Sequence, residues 1–178
     1  LIGVKLTSGK DDVVLATREG MSIRFPEAQV KEQGRATRGV KGITLDKKDD
    51  VVSLDIVEKD ATLLVVTENG YGKRTDFDEY RIQNRGGKGI ITMKTTDKTG
   101  LVIGVNRVVD ADEIMMISAQ GKMVRTPVKD VRVIGRNTQG VRLINLDKGD
   151  RLVAVTRVVN EDEESAIEDV KEEATVKA

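Results

Sequence analysis

Neither cysteine nor histidine occurs anywhere in the 178 residues. Without cysteine there is no disulfide framework and no thiolate metal site, and without histidine the commonest general base and metal ligand is missing. Tryptophan is absent too, and Phe25, Tyr71, Phe77 and Tyr80 are the whole aromatic set. A core must therefore come from Val, Ile, Leu and Met. With no cysteine the expected setting is the cytoplasm, and no apolar run approaches the roughly eighteen residues that a membrane span requires. A first residue of Leu1 rather than Met is expected of a fragment or a processed product.

What is present is charge, 34% of the residues, against 38% apolar. The formal net charge of zero hides an uneven spread. From Asn160 to Ala178 eight acids face only Lys171 and Lys177, a net charge of −6, which leaves +6 on residues 1–159. A basic body with an acidic tail is the pattern of a polyanion binder whose tail competes for the binding surface. The tail, at most a frayed helix around Ala166 to Lys171, is expected to be disordered.

The body repeats. LIGVKL, VVSLDIV, LVIGVNRVV and LVAVTRVV, anchored at Val4, Leu54, Val105 and Val155, recur at steps of 50, 51 and 50 residues. Each of the first three is followed by an apolar run, a turn and a strand ending in basic residues: VVLATREGMSIRF, LLVVTENGYGKRT and IMMISAQGKMVRT. The turn glycines Gly20, Gly70 and Gly121 each precede an arginine by four positions, Arg24, Arg74 and Arg125. These are hairpin signals, with glycine supplying positive φ. A glycine-rich loop closes each unit: GRATRGVKGITL, IQNRGGKGIITM and GRNTQGVRLINL. Aligned on their glycines, Arg38-Gly39-Val40-Lys41, Arg85-Gly86-Gly87-Lys88 and Gln139-Gly140-Val141-Arg142 share a slot.

About four short strands per fifty residues, with no helical period before residue 160, read as an all-β, propeller-like array of four-stranded blades spanning residues 1–159. Three blades cannot close a ring, so further blades are expected upstream.

Cations gather in the hairpin-to-loop half of each unit. The net charge is +3 over residues 18–45, +3 over 71–94 and +5 over 121–142, while acids collect in the other connections, such as Asp49 and Asp50 or Asp110 and Asp112. If equivalent parts of successive blades face the same way, the cations form a belt suited to a long polyanion. Backbone N–H groups at Gly86, Gly87 and Gly89 are expected to approach phosphate oxygens while Arg85 and Lys88 neutralise charge. Such binding is sequence-independent and weakens steeply with salt. Arg24, Arg74 and Arg125 have two readings of similar weight, phosphate contact or a cross-strand ion pair. Paired acids such as Asp11 and Asp12 lie in turns beside lysines. Gly86–Gly89 is too short for a P-loop, so catalysis has little support.

Gln83-Asn84-Arg85-Gly86-Gly87-Lys88-Gly89 resembles the Gln-Arg-Arg-Gly-Gly-Lys-Gly box of the DNA gyrase A C-terminal domain family at six of seven positions. ENGYGKRT, DEIMMIS, VRTPV and IGRNTQGVRLI resemble its later blades. In that family the box usually lies in the first blade; here the match lies in the second unit and carries Asn84 in place of arginine. The resemblance implies a β-pinwheel with strands exchanged between blades, which wraps duplex DNA so that strand passage elsewhere yields negative supercoils. It implies contacts from Gln83, Arg85, Gly86, Gly87, Lys88 and Gly89, and then from Arg38, Lys41, Lys73, Arg74, Arg125, Arg136 and Arg142. It also implies no cofactor in this domain, with ATP and magnesium sites elsewhere in the enzyme. The implied partners are the rest of the gyrase A polypeptide, the gyrase B polypeptide and nucleoid DNA. Two alternatives stand: the related domain of topoisomerase IV, and a protein-interaction propeller that does not bind DNA.

Overall fold

The computed structural model describes residues 1–158; the acidic tail lies outside the described residues. Three antiparallel sheets follow one another along the chain. β1 (Asp12–Thr17) and β2 (Met21–Pro26) form the first hairpin, and β3 (Val51–Ile56) returns beside β1. β4 (Thr62–Thr67), β5 (Tyr71–Asp76) and β7 (Val102–Val108) repeat the pattern, as do β8 (Glu113–Ser118), β9 (Met123–Pro127) and β11 (Leu152–Val158). Two short strands, β6 (Ile90–Ile91) and β10 (Val141–Arg142), complete sheets to which their own hairpins do not belong. The orders are β3-β1-β2-β6, β10-β5-β4-β7 and β11-β8-β9. Each loop strand is thus donated backwards, β6 pairing Ile91 with Met21 and β10 pairing Arg142 with Tyr71.

This shifts the frame read from the sequence. The apolar strand taken as the start of a unit closes the preceding blade, since β3 pairs with β1 and β7 with β4. LIGVKL makes no strand pairing, and Leu1, Ile2, Val4 and Leu6 are exposed.

The hairpin turns follow from their residues. Gly20, Gly70 and Gly121 donate N–H to the carbonyls of Thr17, Thr67 and Ser118 and take φ of 84°, 80° and 86°. The glycine therefore ends a four-residue turn, and Asn69 keeps negative φ instead of sharing a two-residue turn with Gly70. After each hairpin Pro26, Asp76 or Pro127 leads into a single 3-10 turn. Proline suits this position because its φ is preset and no N–H is needed.

Packing explains the strand patterns. β4, TLLVVT, is buried on both faces: Leu63 and Val65 join Val14, Ala16 and Val105, while Leu64 and Val66 join Ile114, Met116 and Leu152. A central strand covered on both sides reads as a continuous apolar run. β8 alternates, because within the described residues its sheet is covered on one face. β3, β7 and β11 pack side by side. They are the inner strands, which leaves β6 and β10, with their loops, on the outer edge of the array.

Candidate nucleic-acid interface

The outer loops have a register that the sequence does not reveal. Gly89 and Gly140 are equivalent: their φ values are 77° and 72°, and each lies against the hairpin strand of the preceding blade. A Cβ at Gly89 would strike the Ser22 carbonyl oxygen, and one at Gly140 would lie 2.5 Å from the Gly72 oxygen. Counting back from them makes Arg35, Arg85 and Arg136 the true repeat slot, with Arg38, Lys88 and Gln139 three residues later. The apparent match of Arg38 with Arg85 is thus corrected by three positions. It arose because Arg-Gly occurs at both Arg38-Gly39 and Arg85-Gly86, and Gly86 shares positive φ with Gly89. The close approach of Gly89 and Gly140 to the preceding hairpin strand fixes the frame, and Gly39 takes the matching place fifty residues before Gly89.

In this register the loops staple neighbouring blades together. Arg85 donates from its backbone N–H to Gln29 Oε1 (2.7 Å), from Nε to the Gln29 carbonyl (3.0 Å), and from a terminal nitrogen to the Lys41 carbonyl. Arg136 does the same one blade on, its N–H to Glu79 Oε2 (3.1 Å) and Nη1 to the Ile91 carbonyl (2.9 Å). The glycine N–H groups face inward as well. Gly86 donates to the Gly42 carbonyl (2.7 Å) and Gly87 to that of Asn84 (3.4 Å). For Gly86 and Gly87 the expectation that these N–H groups meet phosphate is therefore corrected: the loop uses them to close on itself and on the preceding loop. Gln83 is half-buried, its N–H donated to the Arg24 carbonyl (2.8 Å).

The hairpin arginines form a second set of junction contacts. Arg24 binds Asp12 in its own blade (2.8 Å) and donates Nη1 to the carbonyls of Phe77 (2.9 Å) and Tyr80 (3.4 Å) in the next. Arg74 is only 5% exposed, with Nε on the Val131 carbonyl (2.8 Å) and Nη1 on Asp110. Arg125 pairs with Glu113, its side chain 52% exposed. Arg24 and Arg125 thus make the cross-strand ion pair, whereas Arg74 pairs with Asp110 beyond the end of β7, and Arg24 and Arg74 also donate to carbonyls across a blade junction.

Lys73 is fully buried. Its ammonium donates to the carbonyls of Gly135 (2.6 Å) and Arg136 and to Thr138 Oγ1 (3.1 Å). Burial pulls its pKa down from 10.5 to about 8, with the Glu79 charge opposing. A group with no accessible surface cannot touch a duplex, so Lys73 and Arg74 leave the contact set as junction residues.

What stays on the surface is simpler. Lys31, Arg81 and Arg132 are exposed, lie at steps of 50 and 51 just past the 3-10 turns, and have no ion-pair partner among the described residues. The equivalence was missed in the sequence because lysine substitutes for arginine in the first copy. Arg38, Lys41 and Arg142 are exposed in the same loops. Lys88 has an ion pair with Asp46 at 3.9 Å, both side chains more than 70% exposed. Among the described residues no cluster of three or more acidic side chains is arranged to hold a metal ion, and no helix is long and apolar enough to cross a membrane.

Strand-exchanged blades stacked side by side, inner strands together and basic loops outside, define an open array of the β-propeller type. The model of the DNA gyrase C-terminal domain, beta-propeller, matches residues 11–58, 61–108 and 112–158, each a hairpin with its loop and closing strand. The chain belongs to this family. It is 45% identical over 170 residues to the DNA gyrase A protein of Escherichia coli, covering 96% of this chain and 19% of that protein, and 42% identical over 178 residues to that of Staphylococcus aureus, covering 99% and 20%. It spans about a fifth of the gyrase A sequences that it matches. A solved DNA gyrase A C-terminal domain superposes with a TM-score of 0.79 at 30% identity, covering 86% of this chain and 52% of that one. The solved C-terminal domain of DNA topoisomerase IV gives 0.82 at 25% identity, covering 88% and 49%.

Proposed function

We propose that this chain binds duplex DNA along its outer edge, as part of a wrapping surface, in a sequence-independent way. The observation that carries this reading is the exposed row of Lys31, Arg81 and Arg132, repeated blade by blade with Arg38 and Lys88 beside it. Guanidinium and ammonium groups at a regular spacing neutralise successive phosphates and leave the bases unread. Bending a duplex by 40 to 90° costs on the order of 1 to 6 kcal/mol, so contacts from several blades are needed to hold it. In a gyrase-type enzyme, wrapping of this kind presents a DNA crossing of fixed sign to strand passage, whose catalytic groups belong to other domains. The identities of 42 to 45% with gyrase A sequences support this reading over the topoisomerase IV one, since the fold itself resembles both.

The test is a triple variant, Lys31→Ala with Arg81→Ala and Arg132→Ala. Each lost phosphate contact lowers the slope of log affinity against log salt by about 0.9, so the slope is expected to fall by about 3. When a plasmid is closed by a nicking-closing enzyme in the presence of the chain, the parent shifts its linking number and the variant does not. A parent that fails to retard DNA, or a triple variant with the parent's salt slope, refutes the outer-edge track. Absence of DNA retention would favour the protein-interaction reading.

A further inference from the structure

The junction between the second and third blades carries a feature that its counterpart lacks. Tyr71, at the start of β5, lies directly opposite Arg142 of β10. Lys98 Nζ and the Arg142 guanidinium carbon each lie 5.3 Å from the centroid of its ring. Arg142 Nη2 also donates to the Tyr71 phenol oxygen at 2.8 Å, and Nη1 reaches Asn145 Oδ1 at 3.3 Å. The turn that carries Lys98 is pinned in place as well, because Asn69 Nδ2 donates to the carbonyls of Asp97 (3.0 Å) and Lys98 (3.2 Å). Tyr71 is only 7% exposed and belongs to the core cluster that holds Leu63, Val65 and Met93, while both cations remain on the surface and open onto a shallow cavity of about 320 Å³. Asp147 and Asp150 also line that cavity, and Asp150 Oδ1 accepts from the N–H groups of Gln120 and Arg151. At the equivalent of Tyr71 the other blades have Met21 and Lys122, which offer neither a ring face nor a phenol acceptor.

We propose that Tyr71 is a positioning residue that holds Arg142 and Lys98 as a preorganised pair for one phosphate of the bound duplex. This rests on the outer-edge track and adds to it a particular contact at the second junction. An exposed arginine or lysine ordinarily loses considerable rotamer freedom when it closes on a phosphate. Here the aromatic face and the phenol oxygen already restrict both side chains, so less freedom remains to be lost on binding. A phosphodiester oxygen meeting Arg142 Nη1 and Lys98 Nζ completes the arrangement without displacing the ring. The phenol reports on the same contact: the hydrogen bond from Arg142, with the charges of Arg142 and Lys98, holds the Tyr71 pKa below the ordinary tyrosine value.

The test combines duplex retention with phenol titration on the 178-residue chain. Tyr71→Phe keeps the ring and its core packing and removes only the acceptor. It is expected to weaken binding of a short linear duplex about threefold, a modest loss for one hydrogen bond to a charged group. Arg142→Ala is expected to weaken binding about fivefold and to lower the salt slope by about one. The deciding result is coupling: in the Arg142→Ala background, Tyr71→Phe is expected to have no further effect. With tryptophan absent and Tyr80 buried, phenolate absorbance follows Tyr71 cleanly, and its titration midpoint is expected to rise in Arg142→Ala. If the parent binds duplex but Tyr71→Phe binds equally well, or weakens binding as much without Arg142 as with it, the positioning role falls and the outer-edge track stands. If the parent shows no binding, both fall.

Discussion

Three arginines at one repeat position, four residues after the turn glycine, are expected to differ sharply in what they contribute to stability. Arg74 is buried, donates to a carbonyl of the next blade and ends on Asp110, which is 80% exposed. Arg24 is nearly as enclosed, at 16% for the side chain, and spans two carbonyls of the next blade besides Asp12. Among the described residues the Arg125 side chain finds a partner only in Glu113, and it is half exposed. Hydrogen bonds from a charged donor contribute about 1.5 to 3 kcal/mol each, and the aliphatic stem adds packing that is also lost on truncation. Alanine at Arg24 or Arg74 should therefore cost about 3 kcal/mol, with little assigned to the solvated Asp110 pair. Alanine at Arg125 removes an exposed ion pair and should cost under about 1 kcal/mol. For an array of this size those costs correspond to melting shifts of about 6 to 12 °C against about 3 °C. Methionine at position 74 keeps the stem and removes the fork, so the difference between Arg74→Met and Arg74→Ala separates packing from hydrogen bonding. Because blades in an array can open separately, hydrogen exchange should accompany the melts. Loss of Arg74 should deprotect the amides of Arg74 and Ile134 that join the second and third blades. If Arg125→Ala destabilised as much as Arg74→Ala, the arginines would owe their effect to their own hairpins, and the account of blade junctions would be wrong.

Glycine substitutions test the corrected register. Gly140→Ala places a methyl group 2.5 Å from the Gly72 oxygen at positive φ, whereas Gly39, also at positive φ, has nothing within 4 Å. Urea unfolding should show a loss of about 1 kcal/mol for Gly39→Ala from backbone strain alone and at least twice that for Gly140→Ala; equal losses would remove the close approach as the reason for glycine. Lys73 supplies a pH test. Its folded pKa is depressed to about 8, so between about 8 and 10.5 the unfolded chain binds more protons and stability rises with pH; the contribution is lost as pH falls through about 8. At 1.36 kcal/mol per unit this amounts to about 2 kcal/mol by about pH 9.5, below the range where buried Tyr80, its pKa raised by burial, acts in the opposite direction. The urea midpoint of the parent should climb over that interval more steeply than that of Lys73→Met, in which only the lowered pKa of Tyr71 still acts in the same direction; parallel profiles would show that burial does not depress the ammonium.

The fold was legible because each blade is written in short-range chemistry: a hydroxyl residue, a turn glycine and an apolar run at a fixed step. Strand donation was expected only from the family resemblance, since nothing in Ile90-Ile91 or Val141-Arg142 themselves says that their partners are Met21-Ser22 and Tyr71-Gly72 of the preceding hairpin. The candidate site divides along the same line. That the loops are basic could be read directly, but which cations face solvent could not, because an arginine that neutralises a phosphate and one that caps a neighbouring carbonyl have the same local sequence. Lys73 and Arg74 precede the 3-10 turn as Ile23 and Arg24 do, and only the packing of the third blade against the second buries both. The same ambiguity gives the glycine-rich loop its physical sense. Arg85 holds Gln29 and Lys41 of the preceding loop, Gly86 donates to Gly42, and Lys88 is left at the surface. A loop built this way fixes the spacing between blades with one cation and presents another outward. Replacing Arg85 should therefore disturb the geometry of the proposed track more than its charge, and replacing Lys88 the reverse.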